Sequence, residues 1–242
     1  GFKPTVGLLS RTHIVPISFS QDTAGPMTSN VQDAWLMTAV MAGEDASDSA
    51  TENTASHRPD MPSSEMLATD LKGKRIGVVR YRQGDNPHVL DVYESALNQL
   101  KASGATLVDI SDFSQPDSFW ADSYNVLLSE FHHSINEYLS GSPAKIPARN
   151  LSELIAFNSQ TKRELALFNQ DIFEKSLDAA PIDSEAYQSA LRLIQDTAGK
   201  NGIDALLAKH NVDVLVAPSN SPSFLIDGVY GDHSPAGFIG IG

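Results

Sequence analysis

Arg75-Ile-Gly-Val-Val-Arg80, an apolar helical pattern over 89–100, and Ala105-Thr-Leu-Val-Asp-Ile110 together decide the fold. The first run is short, rich in β-branched residues and bounded by charge, which suits a buried strand. Val89, Val92, Tyr93, Ala96, Leu97 and Leu100 then recur at i, i+3, i+4 and i+7 and make one apolar helix face. Gly104 stands where a helix end takes a left-handed residue. Strand, helix and strand in that order imply parallel strands joined by a right-handed crossover, so 75–110 is a βαβ unit. Val212–Ala217, halted by Pro218, has the composition of a third buried strand. The fold class implied is α/β, with a mixed, largely parallel sheet flanked by helices on both faces.

Outward from this unit, residues 116–208 follow a helical pattern, broken near Gly141–Pro147 and at Pro181. An earlier helix is predicted from Val31, Ala34, Trp35, Thr38 and Ala42, with Thr28 as its N-cap and Gly43 at its end. Between them, 44–64 is polar and acidic and predicts a long surface loop. Residues 1–26 read as strand and loop, punctuated by Pro4, Gly7, Pro16, Gly25 and Pro26. No repeat or low-complexity tract interrupts the chain, and 219–242 is rich in Gly, Pro and Ser.

At 242 residues, 41% hydrophobic and 19% charged, the chain is long and apolar enough to fold around a core. No apolar run reaches the roughly 18–20 residues of a membrane span, which points to a soluble protein. Seventeen basic residues against thirty acidic ones give a formal charge of −13. A nucleic-acid surface needs a basic stripe, and none is present. Lys72, Lys74 and Arg75 are few and read as a solvated strand entry. With no cysteine, disulfides, thiolate nucleophiles and Cys-ligated zinc are excluded, while the compartment stays open.

Familiar catalytic motifs fail one by one. There is no Gly-x-Ser-x-Gly elbow and no P-loop, and Gly237–Gly242 follows no strand, so a loop suits it better than a phosphate cradle. Ser142-x-x-Lys145 and Ser159-x-x-Lys162 could place a lysine one turn from a serine. Both lack the companion motifs of penicillin-recognising enzymes and read as coincidence. Glu130-Phe-His-His133 holds a carboxylate and an imidazole on one helix face, but a metal site needs further glutamates and a second copy. No metal or cofactor is therefore predicted. His13, His57, His88, His210 and His233 are isolated, and the Asn150-Leu-Ser152 sequon is of a frequency that chance supplies.

The opening is more specific. Gly1-Phe-Lys-Pro-Thr-Val-Gly-Leu-Leu-Ser-Arg11, Ile14-Val-Pro16, Ser18 and Asp22-Thr-Ala-Gly-Pro26 lead into Val31-x-Asp33-Ala34. In type and spacing this resembles the stretch immediately after the nucleophile in the amidase signature family. Gly43-x-Asp45-x-x-Asp48, the βαβ unit and the Ala217-Pro218 strand end resemble the family more loosely. Leu154-Ile-Ala-Phe-Asn158 and Glu164-Leu-x-Leu-Phe168 resemble its bacterial peptide amidase branch. The likeness is dense at the start and thin from 112 to 205. One departure stands in the motif: the family usually has Gly where this chain has His13, and a positive φ there would strain a histidine.

The resemblance implies an amidase-signature fold, incomplete over 1–242, whose helices from 116 to 208 wall a substrate cleft. It implies an amidase that releases ammonia from carboxamides, small or peptide C-terminal ones, through a Ser–cis-Ser–Lys triad. In the family that triad precedes Lys-Pro-Thr, here Lys3-Pro4-Thr5, so the catalytic residues are expected upstream of Gly1. No catalytic residue is assigned within the chain, which alone should be inactive. Ser18, Asp22 and Thr23 are candidates to support the nucleophile loop or line the substrate pocket. For Asp22 the alternative is that it merely caps the turn at Gly25-Pro26. Expected partners are an amide substrate and either the upstream segment or a second copy, with no nucleic acid. The alternative to a hydrolase is a non-catalytic binding module derived from the same fold.

Overall fold

The computed structural model describes residues 1–61, 63, 70–166, 168–219 and 222–232. The histidine at 233 and the glycine-rich run at 237–242 lie outside them. Among the described residues three strands and eight α-helices follow one another. They are α1 (Val31–Met41), β1 (Arg75–Val79), α2 (Pro87–Ala102), β2 (Thr106–Ile110), α3 (Phe119–Gly141) and α4 (Leu151–Gln160). After them come α5 (Lys162–Leu165), α6 (Asp171–Leu177), α7 (Glu185–Ala198), α8 (Asp204–His210) and β3 (Val214–Val216). A π turn, Gly199–Ile203, joins α7 to α8. The chain divides into two compact units, Gly1–Ala68 with Trp120–Leu191, and Thr69–Phe119 with Arg192–Gly242.

The second unit contains the sheet, in the order β2-β1-β3, with both pairings parallel. Gly77 lies opposite Val108 on one side and Leu215 on the other. The three expected strands do share one sheet, and no antiparallel strand occurs among the described residues. As the central strand, β1 is the buried one, with Ile76, Val78 and Val79 out of solvent. The flanking strands are only partly buried, and Val214 is 50% exposed, so the expectation of a third buried strand is corrected. Its outer side meets no further strand among the described residues.

The βαβ unit forms as its periodicity requires. Asn86 accepts from the amides of His88 and Val89 to start α2, and Pro87 takes the first helical position, where its missing N–H costs nothing. Tyr93 and Leu97 pack on Val78, with Leu100, Leu107 and Val216 around them. Val92 and Ala96, predicted on that face, point outward. The true stripe is Tyr93, Leu97 and Leu100, and neighbours in sequence sit about 100° away around the helix. Tyr93 Oη donates to the Val216 carbonyl at 2.8 Å, tying α2 to β3, and burial raises the phenol to about 12. Arg80 lies over the same ring at 5.8 Å and bonds Glu94 and Asp109.

At the C-terminus of α2, Gly104 has φ +99° and its amide bonds the Lys101 carbonyl, while Ala105 reaches back to Leu100. A Cβ there would stand 3.1 Å from the Lys72 amide nitrogen. Gly104→Ala should therefore lower stability by about 1 kcal/mol or more, from the left-handed backbone and the crowding together. Thermal unfolding should show a lower midpoint, and an unchanged one would contradict this account of the turn.

Candidate functional site

The residues singled out from sequence lie in the first unit, where α1 differs from expectation at its start. Asn30, not Thr28, is the N-cap and accepts from the Asp33 amide, while Thr28 Oγ1 donates to the Asn30 carbonyl. The helix stops at Met41, two residues short of Gly43. The polar stretch after it is not a surface loop throughout. Two 3-10 turns, Ser49–Thr51 and Thr54–Ser56, bury Asp48, Thr51 and Thr54.

Those buried groups hold the opening segment. Ser10 Oγ and Thr12 Oγ1 both donate to Asp45 Oδ2, at 2.6 and 2.5 Å. Arg11 grips Asp48 through its backbone amide, Nε and NH2, at 2.9, 3.0 and 2.8 Å. Its remaining nitrogen donates to the Phe19 carbonyl, so one guanidinium fastens two parts of the loop. Thr54 Oγ1 donates to the Gly7 carbonyl at 2.7 Å. Gly7 has φ +87°, and a Cβ would fall 2.0 Å from the Ala50 carbonyl oxygen, so only glycine fits.

Glu130 holds the next part of the loop. It is 0% exposed, on the α3 stripe that also buries Val126 and Ser134. Oε2 accepts from Ser18 Oγ at 2.5 Å, Ser20 N at 3.0 Å and Ser20 Oγ at 2.9 Å; Oε1 accepts from Tyr187 Oη at 2.6 Å. Four donors replace the water that burial removes from the carboxylate. Burial, and next the bond to Glu130, push the Tyr187 phenol well above its usual range. His133, three residues after Glu130 on α3, lies edge-on to Phe19, with centroids 5.9 Å apart, and contacts Glu137 at 3.4 Å. Glu130 is thus turned inward as a hydrogen-bond hub.

Asp22 caps a turn, but at Ile17-Ser18 rather than Gly25-Pro26. Its Oδ2 accepts from both of those amides, at 2.8 and 2.9 Å, while its own amide bonds the Ser18 carbonyl. Ser18, 2% exposed, sits behind the loop, and Thr23 Oγ1 donates only to the Ala24 carbonyl. Asp22 also borders a cleft of about 660 Å³ lined by Arg11, His13, Phe19, Glu137 and Tyr138. His13 has φ +68°, the left-handed backbone for which the sequence motif favours glycine. Neither Ser-x-x-Lys pair forms a dyad. Ser142 lies past the end of α3, where its hydroxyl accepts from Ala144 N, and Ser159 Oγ donates to the Ile155 carbonyl. Asn150 of the sequon accepts from Glu153 N and caps α4.

The amidase family model matches residues 1–237. The chain belongs to the amidase family. A probable amidase from Arabidopsis thaliana is 30% identical over 98% of this chain and 46% of its own length. The peptide amidase of Stenotrophomonas maltophilia superposes with a TM-score of 0.81 at 35% identity, over 96% of this chain and 47% of that one. A peptide amidase in complex with the competitive inhibitor chymostatin gives 0.83. A glutamyl-tRNA(Gln) amidotransferase chain from Ruegeria is 45% identical, but over 46% of this chain. The chain spans about half the length of the relatives it matches from end to end.

Of the anchors, Glu130 reads from sequence only as half of a metal motif, and Asp45 and Asp48 carry no structural task there. An acidic residue on the apolar stripe of α3 is the signal that could have found the first. Two tests arise from these anchors. Hydroxyl donors from Ser10 and Thr12 hold Asp45 at about 2, and the Arg11 bonds hold Asp48 at about 2, against an ordinary 3.8. Folded-state values below unfolded ones contribute stability above pH about 4, lost as pH falls toward about 2. Acid unfolding should track this window, and Asp48→Asn should flatten the dependence. Glu130→Gln places an amide NH2 among groups that donate, and should cost about 3 kcal/mol; Tyr187→Phe should cost about 1 kcal/mol. Denaturant titration measures both, and equal, negligible losses would remove Glu130 as the anchor.

Proposed function

We propose that this chain is the portion of an amide hydrolase that comes after the nucleophile, its Ser–cis-Ser–Lys triad being encoded before Gly1. The observation that carries this is the anchored opening segment. Residues 1–26, which in type and spacing resemble the stretch after the family nucleophile, are pinned by Asp45, Asp48 and Glu130. A loop adjoining a nucleophile has to be held to within a fraction of an ångström, and buried charge-assisted bonds do that better than apolar contacts. Ser18 and Asp22 then act from behind the loop, and Thr23 beside it, none of them touching the reacting bond. The nucleophilic serine would attack the amide carbonyl as the second serine relays its proton to the neutral lysine. That proton would return to the amide nitrogen so that ammonia leaves an acyl-serine, and water would then cleave the ester to the carboxylic acid and restore the serine.

For substrate, we favour small or peptide C-terminal carboxamides. Similarity to the peptide amidase over 96% of the chain supports this. So does an apolar wall on α4–α6: Phe157 and Leu165 are partly exposed, Phe168 is open, and Phe173 stacks on Phe131 at 5.4 Å. A body at −13 without a basic stripe would repel a tRNA, which speaks against the amidotransferase chemistry of the Ruegeria relative.

The test is a panel on the full-length protein without added metal or cofactor. It should release ammonia from peptide amides faster than from free glutamine, and residues 1–242 alone should release none. The reverse preference, or dependence on charged tRNA and a second protein, would overturn the substrate class. Turnover by the isolated chain would overturn the upstream triad. A full-length protein inert toward all amides, with no Gly-Gly-Ser-Ser run and lysine upstream, would favour the binding module instead.

A further inference from the structure

Val31, Ala34, Trp35 and Thr38 recur at i, i+3, i+4 and i+7 and so share one side of α1. Burial deepens along that side, from Val31 at 76% exposed through half-buried Ala34 and Trp35 to Thr38 at 2%. The same side walls a cleft of about 570 Å³ that Gly1 and Phe2 line as well. Among the described residues lining it there is no Asp, Glu, Lys or Arg, in a chain of net charge −13. The polar groups on the α1 side are already engaged. Trp35 Nε1 donates to the Asp60 carbonyl and Thr38 Oγ1 to the Ala34 carbonyl, both at 2.7 Å. Asn30 bonds Asp33 as the helix cap. What α1 turns toward the cleft is therefore largely carbon, which suits an apolar occupant and gives a charged ligand nothing to hold.

The first residues of the chain are fixed at this cleft. The Phe2 amide donates to the Pro26 carbonyl at 3.0 Å, and a Cβ on Gly1 would stand 3.5 Å from Met27. Gly25 lies so close that a Cβ there would fall 2.0 Å from the Phe2 carbonyl oxygen. The turn before α1 thus holds Gly1 on the cleft wall, and the Cα of any residue bonded to it lies about 3.8 Å from the Gly1 Cα. Phe2, itself 47% exposed, leaves apolar surface beside that point. The matched peptide amidase supplies the length, since this chain covers only 47% of it.

We propose that this cleft is an interaction surface whose occupant is the polypeptide directly preceding Gly1, which packs apolar side chains against Phe2, Val31, Ala34 and Trp35. The proposal rests on the reading that an amidase segment precedes Gly1. It adds where on this chain that segment sits and what it brings there: uncharged apolar side chains rather than a basic complement to the acidic surface elsewhere. An amide substrate is the poorer fit, because Trp35 and Thr38 already give their donors to the protein's own carbonyls.

The lack of cysteine in residues 1–242 allows a direct test. Ser29 also lines the cleft, and its replacement by cysteine changes little in shape. In the full-length protein, Ser29→Cys and, separately, Val31→Cys are exposed to a water-soluble maleimide, and the labelled peptide is identified by mass spectrometry. Val92→Cys on α2, 72% exposed, is the accessible control. In the native monomer both cleft thiols should react at least about tenfold more slowly than the control, becoming equally reactive in denaturant. A photoreactive p-benzoylphenylalanine in place of Val31 should cross-link to residues preceding Gly1 in the same molecule. Rates equal to the control in both variants, or cross-links confined to residues 1–242, would overturn the proposal. Protection that vanishes on dilution to monomer would assign the cleft to a second copy, and protection that needs an added peptide amide would assign it to substrate; either overturns it. Two variants guard against one misfolding, and a melting curve identifies it. Amide turnover is measured separately, so a shielded but inactive protein would sink the proposed activity and leave this surface standing.

Discussion

One carboxylate is the constraint on which the first unit depends. Glu130 sits at 0% exposure on α3 and would be intolerable there without partners. It is made stable by Ser18, Ser20 and Tyr187, which come from sequence positions far before and far after it. The dependence runs both ways. The carboxylate needs the donors to stay buried, and the loop at 17–22 needs the carboxylate to keep its shape. Apolar packing tolerates small slides, whereas four converging hydrogen bonds fix a loop in both position and rotation.

The Arg11 cluster extends the same logic toward the start of the chain. Ser10, Arg11 and Thr12 are consecutive, and each sends its side chain to one of two aspartates in the 45–48 turn. Because Arg11 also reaches the Phe19 carbonyl, the 45–48 anchor and the Glu130 anchor act on one continuous loop. The backbone adopts conformations that the side chains alone would not choose: Gly7 and His13 both take positive φ. For glycine this is free, and for histidine it is tolerated at modest cost.

Legibility in the sequence tracks the range of the interactions. β1, α2 and β2 are readable to within a residue or two, because alternation, 3.6-residue periodicity and the Gly104 stop are local signals. Val92 and Ala96 mislead for a local reason too, since a stripe inferred at i+3 and i+4 is wider than the surface it meets. The polar run at 44–64 misleads because composition cannot tell a solvated aspartate from one satisfied by protein donors. Asp48 and Thr54 are polar and buried because Arg11 and Gly7, far away in sequence, complete their bonds. Glu130 is hardest of all, with partners 112 and 57 residues away in sequence and no local pattern to announce them. The family resemblance of residues 1–34 points at the right segment without saying what holds it.

The sheet order has a consequence for how the chain is born. β1 pairs with β2 soon after both are synthesised, but its other edge waits for β3, and Arg75 meets Asp213 across 138 residues. Throughout that interval a ribosome-bound chain presents the open side of an apolar strand while α3 to α8 emerge. Unpaired strand edges recruit other strands, and late long-range closure slows folding. Gly77, at the middle of that strand, offers no side chain to blunt the edge. The unit with the most regular structure is therefore the one most exposed to mispairing during synthesis, and its rescue depends on the last strand of the described chain.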